Sequence, residues 1–181
     1  MTPLQTAIYH GSREAGDLLA AVEVVPDALY VAAGSGRLDR LARWFDSNGA
    51  LRPEALRLRP NLADIGWPPA PPPRDEPQDA LDGAFALAAF SGRVEVMAWL
   101  LERGADVSGA AHLGLTGLHF AVMSGRVDTA RWLVAHGADL SRRDEIHHGT
   151  PLGWAEHNFK DSAMHQYLKA LGGDPDRLAH R

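Results

Sequence analysis

The chain has 181 residues, 45% apolar and 23% charged, which is typical of globular domains and excludes extensive disorder. Its net charge of −5 argues against a nucleic-acid-binding protein, and the absence of cysteine excludes disulfides, thiolate catalysis and cysteine-ligated zinc. No apolar run approaches the length of a membrane span, and the first residues lack the order of a signal peptide, so we expect a cytoplasmic protein.

Two stretches of the sequence are near copies of each other at a spacing of 33 residues. Aligning Phe85–Val107 with Leu118–Leu140 gives ten identities in 23 pairs, including the runs Ser-Gly-Arg-Val and Gly-Ala-Asp. A further copy begins at Thr150, 34 residues after Thr116. Similarity at a fixed period indicates a repeat architecture, in which neighbouring units bury each other's apolar faces.

Each copy predicts a short helix, a tight turn and a longer helix. A Thr-Pro pair at residues 2–3 and 150–151 is a helix start, because the hydroxyl caps the first turn and proline at the first position needs no N–H partner. Glycines mark the turn, where a positive φ favours them. The turn glycines are followed by arginines that we expect to bond loop carbonyls along the stack: Arg37, Arg93 and Arg126.

In chain order the pattern predicts one domain over residues 1–174 and a tail over residues 175–181. The first repeat is short, with its second helix near Asp17–Ala21, and the third has Gly83-Ala84 where Thr-Pro stands elsewhere, which predicts a weaker helix start. The five repeats are placed at residues 2–26, 27–51, 79–110, 111–143 and 144–174.

An insertion at about residues 52–78 separates repeats two and three and holds eight of the twelve prolines from Pro53 to Pro77. One interpretation is an extended linker, because long insertions cost little loop entropy. The other is a lid over the body, because Ile65 and Trp67 are too apolar to be left in water. Packing of Ile65 and Trp67 onto the body is the favoured interpretation.

The repeated residues resemble the ankyrin repeat family, whose pattern is roughly T-P-L-H-x-A-A-x-x-G, a second helix and then G-A-D. The resemblance implies an all-α fold: an ankyrin-repeat α-solenoid of about five helix-turn-helix repeats, with a Pro-rich insertion between repeats two and three. It also implies that His119, at the histidine of T-P-L-H, is structural and bonds the backbone of the adjacent repeat. Sixteen arginines against two lysines suggest a bacterial source.

The same resemblance implies a face for binding a partner, because the family commonly binds proteins on the concave side formed by its β-turn fingers and first helices. Asp79 and Asp82 fall in the third finger by this register. The predicted contact residues of the fourth and fifth fingers and of the first-helix ends are Phe90, His112, Leu113, Leu115, Met123, Ser124, Glu145, Ile146, His147, Asn158 and Phe159.

Seven of the nine histidines lie between His112 and His165, but no metal-binding or nucleophile motif accompanies them. Adjacent histidines in an extended segment point opposite ways, so at most one of His147 and His148 faces His112. We therefore predict solvated loop histidines, no metal site and no cofactor. The tryptophans are interpreted as core or inter-repeat residues.

Three functions compete at this point. The first is a non-catalytic module that binds a partner protein or peptide on the concave face. The second is a small-molecule binder or small enzyme, with the insertion as a lid and a histidine beside Asp79, Asp82 or Glu145 for acid–base work. The third is self-association through terminal repeats that carry apolar residues, Leu4 and Ile8 at one end and Phe159 and Tyr167 at the other. The favoured expectation is a monomer that binds a protein. Weak self-association is kept as the alternative to a strict monomer.

Overall fold

A computed structural model describes residues 2–22, 27–56 and 76–172 of the chain. Within these ranges ten α-helices form five successive hairpins, and the only β-structure is two isolated bridges. This confirms the predicted all-α repeat solenoid. The helices are α1 (Pro3–Tyr9), α2 (Arg13–Val22), α3 (Leu29–Ser35), α4 (Leu38–Leu41, continued by a 3-10 turn at Ala42–Trp44), α5 (Pro77–Phe90), α6 (Val94–Leu101), α7 (Gly117–Met123), α8 (Val127–Ala135), α9 (Pro151–Phe159) and α10 (Ala163–Ala170).

The Thr-Pro signals begin helices as predicted. The Thr2 hydroxyl accepts a hydrogen bond from the Gln5 N–H at 3.2 Å, and the Thr150 hydroxyl accepts one from the Gly153 N–H at 3.2 Å. Each bond satisfies one of the backbone donors that a helix leaves free in its first turn. Proline follows the cap in both helices, so the first hairpin and the last begin by the same local rule.

The turns between paired helices are joined by arginine side chains. Arg93 Nε donates to the Gly34 carbonyl at 3.1 Å, and Arg126 Nε donates to the Phe90 carbonyl at 2.9 Å, so each arginine reaches back one repeat. The prediction is confirmed for these two. It is wrong for Arg37, whose guanidinium instead pairs with Asp39 at 2.9 Å on the surface.

The third hairpin differs from the sequence prediction. Helix α5 begins at Pro77, seven residues before the expected start at Ala84, so Asp79 and Asp82 lie on a helix and not in a β-turn finger. Proline at the first position and a bond from Gln78 Nε2 to Asp82 Oδ1 at 2.8 Å stabilise this extra turn. Asp82 is buried and accepts from the Asp106 N–H at 2.8 Å, which ties the helix to the loop after α6.

The first hairpin also departs from the prediction. Helix α2 spans ten residues and begins at Arg13, four residues before the expected start. Helix α1 contacts both α3 and α5, where a regular first repeat would contact α3 alone. Leu4 and Ile8, which the sequence placed on an exposed end, are buried in these contacts.

One apolar core runs through the stack, since buried side chains of all five hairpins belong to a single cluster. The predicted packing of tryptophans between repeats is seen at Trp99, whose ring meets Phe45 of the second repeat edge-on at 4.9 Å. No helix in the described ranges is both long and apolar enough to cross a bilayer.

Candidate functional site

Two β-turn fingers project from the fourth and fifth repeats and are bonded to each other. In the fourth, the Ala111 N–H donates to the Leu115 carbonyl at 2.8 Å across a turn that holds Leu113 at a φ of 54°. The fifth is bridged between Asp144 and Gly149 at 3.1 Å. The Glu145 N–H then donates to the Leu113 carbonyl at 2.9 Å, so the two fingers form one connected edge.

Asp144 organises the fifth finger from inside. Its carboxylate accepts from the backbone N–H groups of Ile146, His147 and Gly149 at 2.7–2.8 Å and from Trp154 Nε1 at 2.8 Å. Burial alone raises the pKa of Asp144, but these four bonds to the ionised form outweigh it, and the pKa lies below its usual value. The finger is therefore ordered around a buried negative charge.

His119 joins the two fingers beneath the surface, as the family resemblance implied. Its Nδ1 accepts from the Thr116 N–H at 3.2 Å, which leaves Nε2 to donate to the Gly149 carbonyl at 3.1 Å in the next repeat. The ring is completely buried. Burial, the largest cause, lowers the pKa of His119 to about 4, so the ring is neutral at pH 7 and is a structural group.

A small apolar cluster lies between the fingers and the first helices, separate from the main core. Its buried members are Ala86, Phe90, Leu115 and Phe120, and the Phe90 and Phe120 rings meet edge-on with centroids 5.5 Å apart. Its outer members are only partly buried, and we call them the apolar seam. The apolar seam consists of Ala111, Met123, Ile146 and Trp154.

The structure brings many of the predicted contact residues to this region, but at different depths. Met123 and Ile146 lie in the apolar seam. Phe90 and Leu115 are 6% and 0% exposed, so they support the seam from beneath and are not themselves available to a partner. The predicted residues of the finger turns are partly or fully exposed beside the seam: His112, Leu113, Glu145 and His147.

Three other predicted residues do not join the cluster. Ser124 is half-buried, and its hydroxyl donates to the Phe120 carbonyl of its own helix at 2.9 Å. Asn158 is exposed and donates to the Trp154 carbonyl at 3.0 Å. Phe159 packs against the main core. The candidate lid residues Ile65 and Trp67 lie outside the described residues.

The sequence analysis missed two seam residues, Ala111 and Trp154. Trp154 was grouped with the core tryptophans and does pack against the main core, but it also stands 34 residues after Phe120, in register with the first-helix face. Its indole is half-buried, it donates to Asp144, and its ring lies 5.6 Å from the His147 ring. The repeat register was the signal that would have found it.

The described residues contain no group of three or more histidine, aspartate or glutamate side chains that could hold a metal ion. The region presents an apolar strip with a polar border, which suits contact with another macromolecule.

Comparison with known proteins agrees with this architecture. Residues 85–134 and 118–158 match a family model described as ankyrin repeats (many copies). The matched stretch begins within α5 and covers the rest of the third hairpin, the fourth hairpin and most of α9, so it includes the whole apolar seam. No curated protein sequence matches the chain.

Proposed function

Since the chain belongs to the ankyrin repeat family, we propose that it binds a partner protein or peptide at the apolar seam and the finger turns beside it. Ankyrin repeats generally serve as protein–protein interaction modules, and that general role is the starting point. The observation that carries the specific proposal is the apolar seam, in which four apolar side chains are left partly uncovered above their own buried cluster.

The composition of the seam suits a binding surface. Tryptophan and methionine are enriched at the centres of interfaces, because they offer large contact areas that a partner can desolvate. Exposed polar groups border the seam at Glu145 and His147 and supply the rim that gives a partner its register. The order imposed by Asp144 and His119 supports the same proposal, because a surface that is already ordered loses little entropy on binding.

The test is a pull-down experiment with two separate baits. One is the double variant Met123→Glu with Ile146→Glu, and the other is the wild-type protein. Both side chains are partly exposed, so the charges enter the seam without burying themselves in the core. The matched control, Ala135→Glu with Leu171→Glu, adds the same charges at exposed positions on α8 and after α10. Circular dichroism melting first checks that both variants are folded.

The proposal predicts that a protein recovered with the wild type and with the control is lost with the seam variant. The affinity measured afterwards with that purified protein is expected to fall at least about tenfold in the seam variant, since charges at the centre of an interface are poorly tolerated. Equal affinity of the seam variant and the wild type for every recovered protein would place the docking site elsewhere.

A further inference from the structure

The N-terminal hairpin, residues 2–22, packs on the second repeat and also reaches the third, unlike the regular neighbours in the row of repeats. In the row, Arg93 and Arg126 each bond the carbonyl of the equivalent residue one repeat earlier, Gly34 and Phe90. The hairpin's turn sits beside the third repeat instead. Arg126 Nη2 donates to the Gly11 carbonyl at 2.7 Å, a second bond from the arginine that already holds Phe90.

Two further bonds attach the hairpin to the same place. Arg13 Nη1 donates to the Gly92 carbonyl at 3.1 Å, and Arg93 Nη2 pairs with Asp17 at 2.6 Å. The first repeat is thus tied directly to the turn of the third, which a regular solenoid keeps one unit away.

The hairpin covers the ends of the first helices at equivalent positions of the row. Gly34, Phe90 and Met123 correspond in the repeat register. A Cβ on Gly34 would overlap the Ile8 side chain, and a Cβ on Gly11 would lie 3.2 Å from the Phe90 ring, so the hairpin rests on the first two positions. Met123, the third position, is left partly exposed in the apolar seam.

The next position in the register shows the same difference. Ser35 and Ser91 are 5% and 1% exposed, whereas the equivalent Ser124 is partly exposed. The apolar seam therefore begins where the hairpin ends, and the covered positions would extend it if the hairpin moved away.

The hairpin is held mainly through α1, and α2 adds only the partly buried Leu19 and Ala20 to the core. Helix α1 buries Leu4, Ile8 and Tyr9, but α2 is mostly exposed and its Leu18 is 72% exposed to solvent. Three arginines, Arg13, Arg93 and Arg126, gather at the attachment, and the acids Glu14 and Asp17 offset part of the repulsion among them. Elements at the end of a chain open at lower cost than the centre of a fold.

We propose that the N-terminal hairpin is an intramolecular cover that competes with the partner for the ends of the first helices. Displacing it would extend the binding surface from Met123 to Phe90 and Gly34. The proposal rests on the proposed function for the identity of the competitor, but the movement of the cover can be tested without any partner.

Gly34→Ala is the variant that releases the cover. The three atoms nearest to its new methyl group all belong to Ile8, and alanine is favoured over glycine inside helix α3. The body is therefore unharmed while the hairpin is pushed off. The second change Ile8→Ala removes the overlap in the same protein and serves as the matched control. Gly34→Val is a stronger version.

Cysteine reporters measure the opening, since the natural chain has no cysteine. Ser91→Cys places a thiol of nearly the same size at a buried position between Phe90 and Gly92, which the hairpin contacts, and the serine hydroxyl there has no hydrogen-bond partner. Ser124→Cys places one at the equivalent, partly exposed position. Labelling by a small disulfide reagent is expected to be roughly tenfold faster for Ser91→Cys in the Gly34→Ala background, the size of an ordinary overpacking effect. Labelling of Ser124→Cys should be unchanged, and Ile8→Ala should restore the slow rate.

An unchanged Ser91→Cys rate in both Gly34→Ala and Gly34→Val would overturn the proposal, as would equal acceleration at both reporters, which would mean that the body itself opens. The affinity of Gly34→Ala for the protein recovered with the wild-type bait is expected to rise by a similar factor. Unchanged affinity in a variant whose cover is released would overturn the competition. Loss of the seam site in the bait experiment leaves the labelling result standing, so the two failures are distinguishable.

Discussion

The buried imidazole of His119 makes stability depend on pH in a defined window. The pKa of the ring is about 4 in the folded protein and 6.5 in an unfolded chain. Because the folded value is the lower one, the stabilisation is complete above pH 6.5 and is lost as the pH falls towards 4. Protonation would also place a proton on Nδ1, which must accept the Thr116 N–H, so the charged form loses this bond.

The size of the effect follows from the two pKa values. Linkage gives a loss of about 2 kcal/mol in the free energy of unfolding between pH 7 and pH 5, and about 3 kcal/mol once both states are protonated. Urea unfolding followed by circular dichroism at pH 7, 6 and 5 measures it. The wild type is expected to lose about 2 kcal/mol more than His119→Gln over this range, since the variant has no ring to protonate.

His157→Gln, which removes an exposed ring from α9, reports the background from the other titrating groups. It is expected to follow the wild type. If His119→Gln and the wild type lost stability in parallel as the pH fell, the ring would not be a buried neutral link between the fingers, and this part of the account would be refuted.

The remaining predictions concern the charges that fix the fingers and the turns. Asp144→Ala leaves buried donors without an acceptor and is expected to cost about 3 kcal/mol in urea unfolding, whereas Asp139→Ala, in an exposed loop, should cost less than about 1 kcal/mol. An equal loss of stability in these two variants would contradict the role of Asp144 in ordering the finger. Arg126→Ala removes the bonds to Phe90 and to Gly11 and should destabilise by about 2 kcal/mol. Arg37→Ala breaks a surface pair and is expected to leave the unfolding midpoint unchanged. Equal midpoints for both arginine variants would contradict a stabilising role for the arginine bonds between repeats.

The sequence predicted those features of the fold that local chemistry decides. Turn glycines and Thr-Pro caps act within a few residues, so their positions could be taken directly from the repeat. His119 was assigned correctly through the family resemblance, which implied that the histidine of T-P-L-H bonds the adjacent repeat. The early start of helix α5 was missed because Pro77 was interpreted as part of the Pro-rich insertion, whereas proline is equally suited to the first position of a helix.

The rest depends on contacts between distant parts of the chain. Nothing within residues 2–22 shows that Ile8 will rest on Gly34 or that Arg126 will reach Gly11, since these contacts join residues that are far apart in sequence. The burial of Leu115 was missed for the same reason. The finger pattern gives the position of Leu115 along the chain, but contacts with neighbouring repeats bury its side chain. The proposed binding surface is therefore smaller, and lies further along the stack, than the one predicted from the repeat pattern alone.

Hydrogen exchange on the complex tests most directly whether the apolar seam receives the partner. Amides of residues 110–124 and 144–154 should exchange more slowly when the purified partner is bound, while those of the second helices α6 and α8 should be unaffected. Protection confined to α6 and α8, with the fingers exchanging as they do in the free protein, would contradict the proposed binding face.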